Sequence, residues 1–154
     1  MKMDGVDGAV TTKGFEKWIE VNSFQCGVGR AIGTAARGSA TREASEPSIS
    51  EIVVTKRLDK SSTKLFQDAV GGDLSKTVKF KFTTTTKDKV DTFLAYELTN
   101  CGLSGYSISS GGDAPTESLS LNFTKIMMTY TERDPSIGGS PDTVGYDLTT
   151  MSKP

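Results

Sequence analysis

The sequence contains no histidine and only two cysteines, Cys26 and Cys101. Without histidine, a serine or cysteine nucleophile lacks its commonest general base near neutral pH, and histidine-ligated metal sites are excluded. Two cysteines cannot complete a structural zinc site by themselves. Because the cysteines lie far apart and the N-terminal segment has no secretory features, we expect two reduced, partly buried thiols.

Strong charge and long apolar runs are also absent. The formal net charge is −1 at pH 7, so the chain has no overall basic field for nucleic acid or a membrane surface. No run of about 18 apolar residues occurs, and we expect no membrane insertion. Residues 1–14 contain Asp4 and Asp7 and no apolar core segment, so no signal peptide is visible. The length predicts a single domain over residues 1–154.

The dominant pattern is the alternation of apolar and polar residues, which predicts seven or eight β-strands. The clearest segments are residues 18–26, 50–59, 76–86, 90–101, 117–132 and 143–151. In the fifth segment the apolar phase shifts after Thr124 and Lys125, which predicts a bulge or a differently covered face.

One short helix is predicted at about residues 62–70, with Ser61 or Ser62 as its cap and Gly71 and Gly72 as a left-handed stop. Leu65, Phe66 and Ala69 would form its apolar stripe. Together these elements predict a mainly β fold: a small β-barrel of two packed, antiparallel-rich sheets with one short α-helix.

The segment CGVGRAIGTAARGSA, residues 26–40, has glycines spaced like a phosphate-binding loop. Such a loop needs a helix after it, but the residues past Gly33 show no apolar periodicity and lead to Pro47. Nucleotide binding is therefore not expected. Two interpretations stay open: a flexible solvent loop, or an extended arm that orders against a neighbouring subunit. Arginines at positions 30, 37 and 42 suit ion pairs with carboxylates across an interface.

Three long segments, KWIEVNSFQCGVGR, SEPSISEIVVTKRLDKSSTKLFQDA and LTNCGLSGYSISSGGDAPTESLSLNFTKIMMTY, strongly resemble the haemolysin-coregulated proteins, or Hcp. These proteins are the tube subunits of the bacterial type VI secretion system. The resemblance covers residues 3 to about 148. Its most specific pieces are the strand-to-helix junction TKRLDKSSTKLF and the hairpin SGYSISSGGDAPTESLSLNFTK.

The resemblance implies six copies in a flat ring with a central channel, and rings stacked into a tube that a contractile sheath expels. The extended loop, about residues 29–47, would reach neighbouring subunits and rings, with Arg30, Arg37, Arg42 and Glu43 on it. The strand ending in SFQCG would line the channel, so that Ser23 and Gln25 face the lumen. An ordinary solvent-facing pair is the alternative.

The implied function is structural, not enzymatic, and needs no cofactor. The implied partners are other copies of the chain, spike and sheath proteins, and effector cargo, and no nucleic acid. The implied route runs from the bacterial cytoplasm to the medium or a target cell without a signal peptide. Two alternatives stay open: a stand-alone secreted binding module of the same fold, or a contractile phage-like tail tube protein. Many relatives have residues ahead of the strand that resembles MKMDGVDG, so part of one sheet edge is expected to be missing.

Overall fold

The computed structural model describes residues 1–34, 42–86, 89–133 and 140–154. Its elements, in chain order, are β1 (Lys2–Met3), β2 (Ser23–Gln25), β3 (Val28–Gly29), β4 (Ser48–Ile49), β5 (Ile52–Arg57), α1 (Ser62–Gly71), β6 (Lys76–Thr86), β7 (Lys89–Ser109), β8 (Thr116–Asn122), β9 (Lys125–Tyr130) and β10 (Asp142–Asp147). Among the described residues, no helix is both long and apolar enough to cross a membrane.

The strands form one curled antiparallel sheet and a small second sheet. The order in the large sheet is β1-β6-β7-β8-β5-β2, with β9 paired to β7 and β10 paired to β9. The small sheet contains β3 and β4. The large sheet curls into a half-barrel, and the predicted fold class, mainly β with one short helix, is confirmed.

Strand β7 holds the two halves of the large sheet together. Its first half pairs with β6 and β9, and its second half pairs with β8. Asn100 lies between the halves with a φ of 49°, and a register shift follows between Leu103 and Gly105. The strand therefore bends where it passes from one set of partners to the other.

The segment predicted as one strand over residues 117–132, with a bulge or a differently covered face after Thr124, is instead two strands, and the apolar phase shift falls at the gap between β8 and β9. Before the break, Leu119 and Leu121 are fully buried. After it, Ile126 is buried, and β9 pairs with the first half of β7. The shift in apolar phase thus marks the point where the chain changes neighbours.

The predicted strand over residues 18–26 is mostly wrong, since only Ser23–Gln25 is a strand. Phe24 nevertheless packs across the curl of the sheet. Its ring centroid lies 5.0 Å from that of Phe80, 5.3 Å from Phe82 and 5.0 Å from Tyr96. This aromatic cluster joins β2 at one end of the sheet order to β6 and β7.

The helix is confirmed over Ser62–Gly71, close to its predicted bounds, but the predicted side-chain cap and the predicted left-handed stop are wrong. Ser61 is the N-cap residue, yet its side chain accepts no helix N–H. Instead, the Asp59 carboxylate accepts the Ser61 backbone N–H at 2.9 Å and the Ser61 hydroxyl. Gly72 ends the helix with an extended φ of −77°, not a left-handed one. Glycine is required there because a Cβ would lie 2.6 Å from the Asp68 carbonyl oxygen.

Candidate assembly surface

The predicted loop at residues 29–47 is, in its described part, a two-stranded ribbon. Strands β3 and β4 pair antiparallel, and an isolated bridge joins Ile32 to Ala44 farther out. The Gly33 N–H donates to the Glu43 carbonyl, and the Ser45 N–H donates to the Ala31 carbonyl, each at 2.8 Å. We call residues 26–34 and 42–50 the arm. The strand–loop–helix unit of a nucleotide site is not formed by these residues.

The arm is exposed and thin. Each of its two strands pairs only with the other in the described residues. Two large apolar side chains stand out from it into solvent, Val28 at 71% exposure and Ile32 at 50%. A lone two-stranded ribbon is at best marginally stable in water, and the subunit supports the arm at its base, where Ile49 packs on the core and Glu46 contacts the Tyr146 hydroxyl.

Three of the four charged residues predicted for this segment lie on the arm. Arg30, Arg42 and Glu43 are all exposed. Arg37 lies outside the described residues. Since guanidinium groups pair bidentately with carboxylates, the arm presents groups that can bind a charged protein surface.

Ser23 and Gln25 project from β2 on the face opposite to Phe24. Both are exposed while Phe24 is half-buried, so the predicted alternation is confirmed. The Ser23 and Thr55 hydroxyls lie 2.5 Å apart across the β2–β5 pair. The outer face here is polar, and its place in a channel stays a prediction.

An apolar hollow of about 350 Å³ lies between the base of the arm and strands β9 and β10. Its lining includes Cys26, Val28 and Ile49 from the arm, and Tyr96, Met128 and Val144 from the large sheet. Tyr146 also lines it, and the Tyr146 hydroxyl lies 3.5 Å from a Glu46 carboxylate oxygen. We call this cavity the arm-base hollow. Its lining is mostly apolar.

The two cysteines differ in exposure, although the sequence predicts that both are partly buried. Cys26 is an exposed residue at the arm-base hollow, whereas Cys101 is buried in the core. Burial of the sulfur raises the pKa of the Cys26 thiol, and it raises the pKa of Cys101 to about 12. Cys101 is therefore inert in the folded protein, and Cys26 is the accessible thiol.

A buried polar cluster, missed by the sequence analysis, ties the strand-to-helix junction to the β7–β8 hairpin. Lys56 and Glu117 are fully buried, lie opposite each other in the β5–β8 register and form an ion pair. The Ser62 hydroxyl donates to the Glu117 carboxylate at 2.7 Å, and the Tyr106 hydroxyl donates to its other oxygen. Lys56 also lies 3.0 Å from Asp59. We call these five residues the junction cluster.

The geometry of the junction cluster suits positioning, not catalysis. The Lys56 amine lies 3.2 Å from the Ser62 hydroxyl, the contact of a Ser-Lys pair. The Lys56 amine also donates to the Glu117 carboxylate and, at 2.7 Å, to the Arg57 carbonyl. All three of its protons are therefore in hydrogen bonds. Burial acts to raise the pKa of the Asp59 carboxyl, but hydrogen bonds from Ser61 and Lys56 outweigh it and hold that pKa below its ordinary value.

The sequence did carry a signal for this cluster. Lys56 follows Ile52 and Val54 at a spacing of two, and Glu117 precedes Leu119 and Leu121 in the same way. Alternation therefore places one charge of each sign on the inner face of its strand. A buried charge needs a partner, so each residue predicts a partner of opposite sign, although the sequence does not say which residue that partner is.

The curled sheet, the single helix and the protruding arm define a class of small half-barrel proteins with one extended ribbon. The profile of the family described as "Type VI secretion system effector, Hcp" matches residues 1–130. The chain belongs to this family. Members of the Hcp family are structural tube proteins rather than enzymes.

Solved structures agree with this assignment. A structure described as a type six secretion system protein is 30% identical to this chain, with a TM-score of 0.87. The match covers 99% of this chain and 96% of the other. Hcp1 from Salmonella typhimurium is 20% identical, with a TM-score of 0.75 and coverages of 99% and 95%. A type VI secretion system effector from Yersinia pestis is 18% identical, with a TM-score of 0.73 and coverages of 95% and 96%. The last two likenesses concern the fold. No curated protein sequence matches the chain.

Proposed function

We propose that this chain is a structural subunit of the type VI secretion tube, which forms stacked six-membered rings and carries effector proteins in their lumen. Membership of the Hcp family supports a role in type VI secretion. The observation that carries the proposal is the arm, a solvated ribbon with Val28 and Ile32 exposed and with contacts to its own subunit at its base. A neighbouring subunit would support the rest of it.

The charges on the arm fit this role. A ring of identical subunits uses one head-to-tail contact, repeated until it closes. Arg30, Arg37, Arg42 and Glu43 would pair with charged groups on the next subunit or the next ring. Polar contacts of this kind give an interface of modest affinity for its area, which suits a tube that assembles and later comes apart.

The polar face of β2 is the proposed lumen surface. Ser23 and Gln25 are exposed, neutral and free of large apolar groups, so they would allow cargo to pass without sticking. Replacing Gln25 by arginine would crowd and charge this surface. We expect Q25R to reduce cargo stability and secretion, while S110R, an exposed change in the β7–β8 turn, leaves both intact. Unchanged cargo and secretion in Q25R would contradict the lumen assignment.

The remaining partners follow from the same role. The tube would contact spike and sheath proteins of the secretion system, and no nucleic acid or membrane insertion is proposed. The subunit would be made in the bacterial cytoplasm and leave through the secretion system.

The direct test is light scattering on a size-exclusion column over a concentration series, with negative-stain images of the peak. Six copies of a 16.4 kDa chain would weigh about 98 kDa. A peak near that mass with ring-shaped particles supports the proposal. A monomer at every concentration would overturn it and favour the stand-alone binding module.

A further inference from the structure

A cavity of about 490 Å³ lies between the N-terminal loop and strand β6. Its apolar lining includes the buried Met1 and Ile19 and the half-buried rings of Phe15 and Trp18. Its polar lining consists of Thr11, Thr12, Glu20, Lys81 and Thr83. We call it the aromatic cavity. Pockets for small molecules combine an apolar surface with a few polar groups, within about 300–1,000 Å³, and this cavity meets both conditions.

The N-terminal loop that forms one side of the cavity is fixed by its own backbone. The Gly8 N–H donates to the Lys17 carbonyl, and the Lys17 N–H donates to the Val10 carbonyl, each at 2.9 Å. The Val10 N–H donates to the Trp18 carbonyl at 3.0 Å. Glycine is required at position 8, because a Cβ would lie 2.1 Å from the Trp18 carbonyl oxygen. The loop therefore closes on itself and presents its aromatic residues at a set place.

Lys81, on the other side of the cavity, has no acidic partner across the sheet. Two residues before it, Lys79 lies opposite Glu97 in the β6–β7 register and forms an ion pair with it. Lys81 lies opposite Ala95 instead. Within the described ranges, its ammonium takes part in no hydrogen bond or ion pair. Its three N–H groups are therefore available to a ligand.

Two aromatic rings hold the Lys81 ammonium beside the cavity. It lies 5.5 Å from the centroid of the Phe15 ring and 5.4 Å from that of Trp18. The two rings pack edge-on with centroids 5.3 Å apart. A cation is attracted to the negative face of an aromatic ring, most strongly for tryptophan. This attraction positions the ammonium but gives its N–H groups no oxygen acceptor.

The other polar side chains around the cavity are also available. In the part of the chain that the structure describes, the Glu20 carboxylate has no hydrogen bond or ion pair. The same holds for the hydroxyls of Thr11, Thr12 and Thr83. The cavity thus brings together aromatic rings, one ammonium, one carboxylate and several hydroxyls, all of them open to a ligand.

These charges disfavour a charged ligand and suit a neutral one. Glu20 repels an anion and Lys81 repels a cation, because like charges close together cost free energy. A sugar ring has apolar C–H faces that can lie on an aromatic ring. Its hydroxyls can accept a hydrogen bond from the Lys81 ammonium and donate one to the Glu20 carboxylate.

We propose that the aromatic cavity binds a neutral oligosaccharide, with one sugar ring against Trp18 and its hydroxyls bonded to Lys81 and Glu20. The inference does not depend on the proposed tube function, because every residue of the cavity belongs to one subunit.

The first test uses Trp18, the single tryptophan of the chain, as its reporter. Neutral sugars do not absorb where tryptophan is excited, so a change in emission reports contact with the ring. We expect chitotriose, cellotriose or maltotriose to change the emission saturably, and calorimetry to give one site per chain. The cationic glucosamine trimer and the anionic galacturonate trimer should bind at least about tenfold more weakly.

The second test replaces the two charged contacts. A hydrogen bond to a charged group is strong, so K81M and E20A should each lower the affinity for the neutral trisaccharide about tenfold. Both positions are exposed, and the thermal midpoint should stay unchanged. K79M is the matched control, because it makes the same replacement two residues away on β6, outside the cavity lining. It should bind the sugar like the unchanged chain.

The outcomes decide the inference without touching the tube. No saturable response to any of the three neutral trisaccharides would overturn the site. Tighter binding of either charged trimer would overturn the ligand class, and equal affinities in K81M, E20A and the unchanged chain would overturn the placement. Each of these results leaves the ring measurement, and with it the proposed function, unaffected. A saturable response that K81M and E20A weaken and K79M does not would establish the site.

Discussion

The strand-to-helix junction and the arm are both short segments rich in polar residues, yet the subunit supports them in opposite ways. At the junction, Lys56 and Glu117 are fully buried and share contacts with Ser62, Asp59 and Tyr106. In the arm, residues 26–34 and 42–46 are exposed throughout. The polar groups of the junction find their hydrogen-bond and ion-pair partners within the chain. In the arm, the large side chains of Val28 and Ile32 are exposed to solvent.

The difference shows where each segment's stability has to come from. Buried charges without partners are costly, so the junction must be complete in every folded subunit. A thin ribbon can be present in a single subunit and still gain most of its order from a neighbour. Substitutions at the junction should therefore act on folding, and substitutions in the arm should act on assembly.

The largest effect is expected from K56M. It removes the positive charge opposite Glu117 and leaves a carboxylate buried without its ion partner. Removing one member of a buried pair typically costs about 3–5 kcal/mol of the free energy of unfolding. Urea denaturation of K56M and the unchanged chain would measure the loss.

The matched control is K79M. Lys79 pairs with Glu97 at 3.2 Å, but both side chains are about half exposed, so we expect a loss below about 1 kcal/mol. The double variant K56M/E117L should recover part of the stability, since it removes both buried charges but leaves the Ser62 and Tyr106 hydroxyls without their acceptor. Equal losses in K56M and K79M would show that the junction cluster has no special role.

The next effect is expected from F24A, at the place where the arm meets the half-barrel. The Phe24 ring contacts Phe80, Phe82 and Tyr96 and is half-buried. Its removal should cost about 2–4 kcal/mol in the same denaturation experiment. F66A, which removes an exposed ring, should cost about 1 kcal/mol or less. A loss in F66A as large as that in F24A would contradict the inward role of Phe24.

The sequence predicts local features of the fold well. Alternation correctly assigns Val78 and Phe80 to the inside of β6, and the apolar phase shift correctly marks the break after β8. The helix at residues 62–70 also follows from its sequence. Each of these depends on neighbours within a few residues, where periodicity is informative.

Pairings between distant segments are what the sequence leaves undetermined. Lys56 and Glu117 are 61 residues apart, and only the β5–β8 register makes them partners. Lys56 is the fifth residue of β5, and a lysine at that place in a sequence is typical of an exposed strand end. The sequence predicts a loop for the arm because β3 and β4 contain two residues each, too few to show alternation.

A smaller effect is expected from Y106F, which removes the hydroxyl that donates to Glu117. A hydrogen bond to a charged group contributes about 1.5–3 kcal/mol, so Y106F should fall between F24A and the exposed controls. Denaturation at neutral pH would measure this loss. A stability equal to that of the unchanged chain would contradict the contact.

Alkaline pH provides a second readout for the same hydroxyl. Burial, together with the bond to Glu117 and its charge, raises the pKa of Tyr106 to about 12. Because the folded pKa lies above the unfolded value of about 10, this group's contribution is complete below pH 10 and is lost as pH rises towards 12. The difference in stability between the unchanged chain and Y106F should therefore shrink over that interval. A constant difference would contradict the raised pKa.

The smallest effect on folding is expected from V28S/I32S in the arm. Both side chains are exposed in the subunit, so serine should change the free energy of unfolding by less than about 0.5 kcal/mol per site. Assembly should respond instead, because the apolar groups that a neighbour would cover are gone.

Hydrogen exchange of the arm amides tests directly whether a neighbour orders the arm. The Gly33 and Ser45 amides, which bond only within the ribbon, should exchange fast in dilute subunit and slowly in rings. Protection of these amides in the monomer would mean that the arm is ordered without a neighbour, and the contrast with the junction would fail.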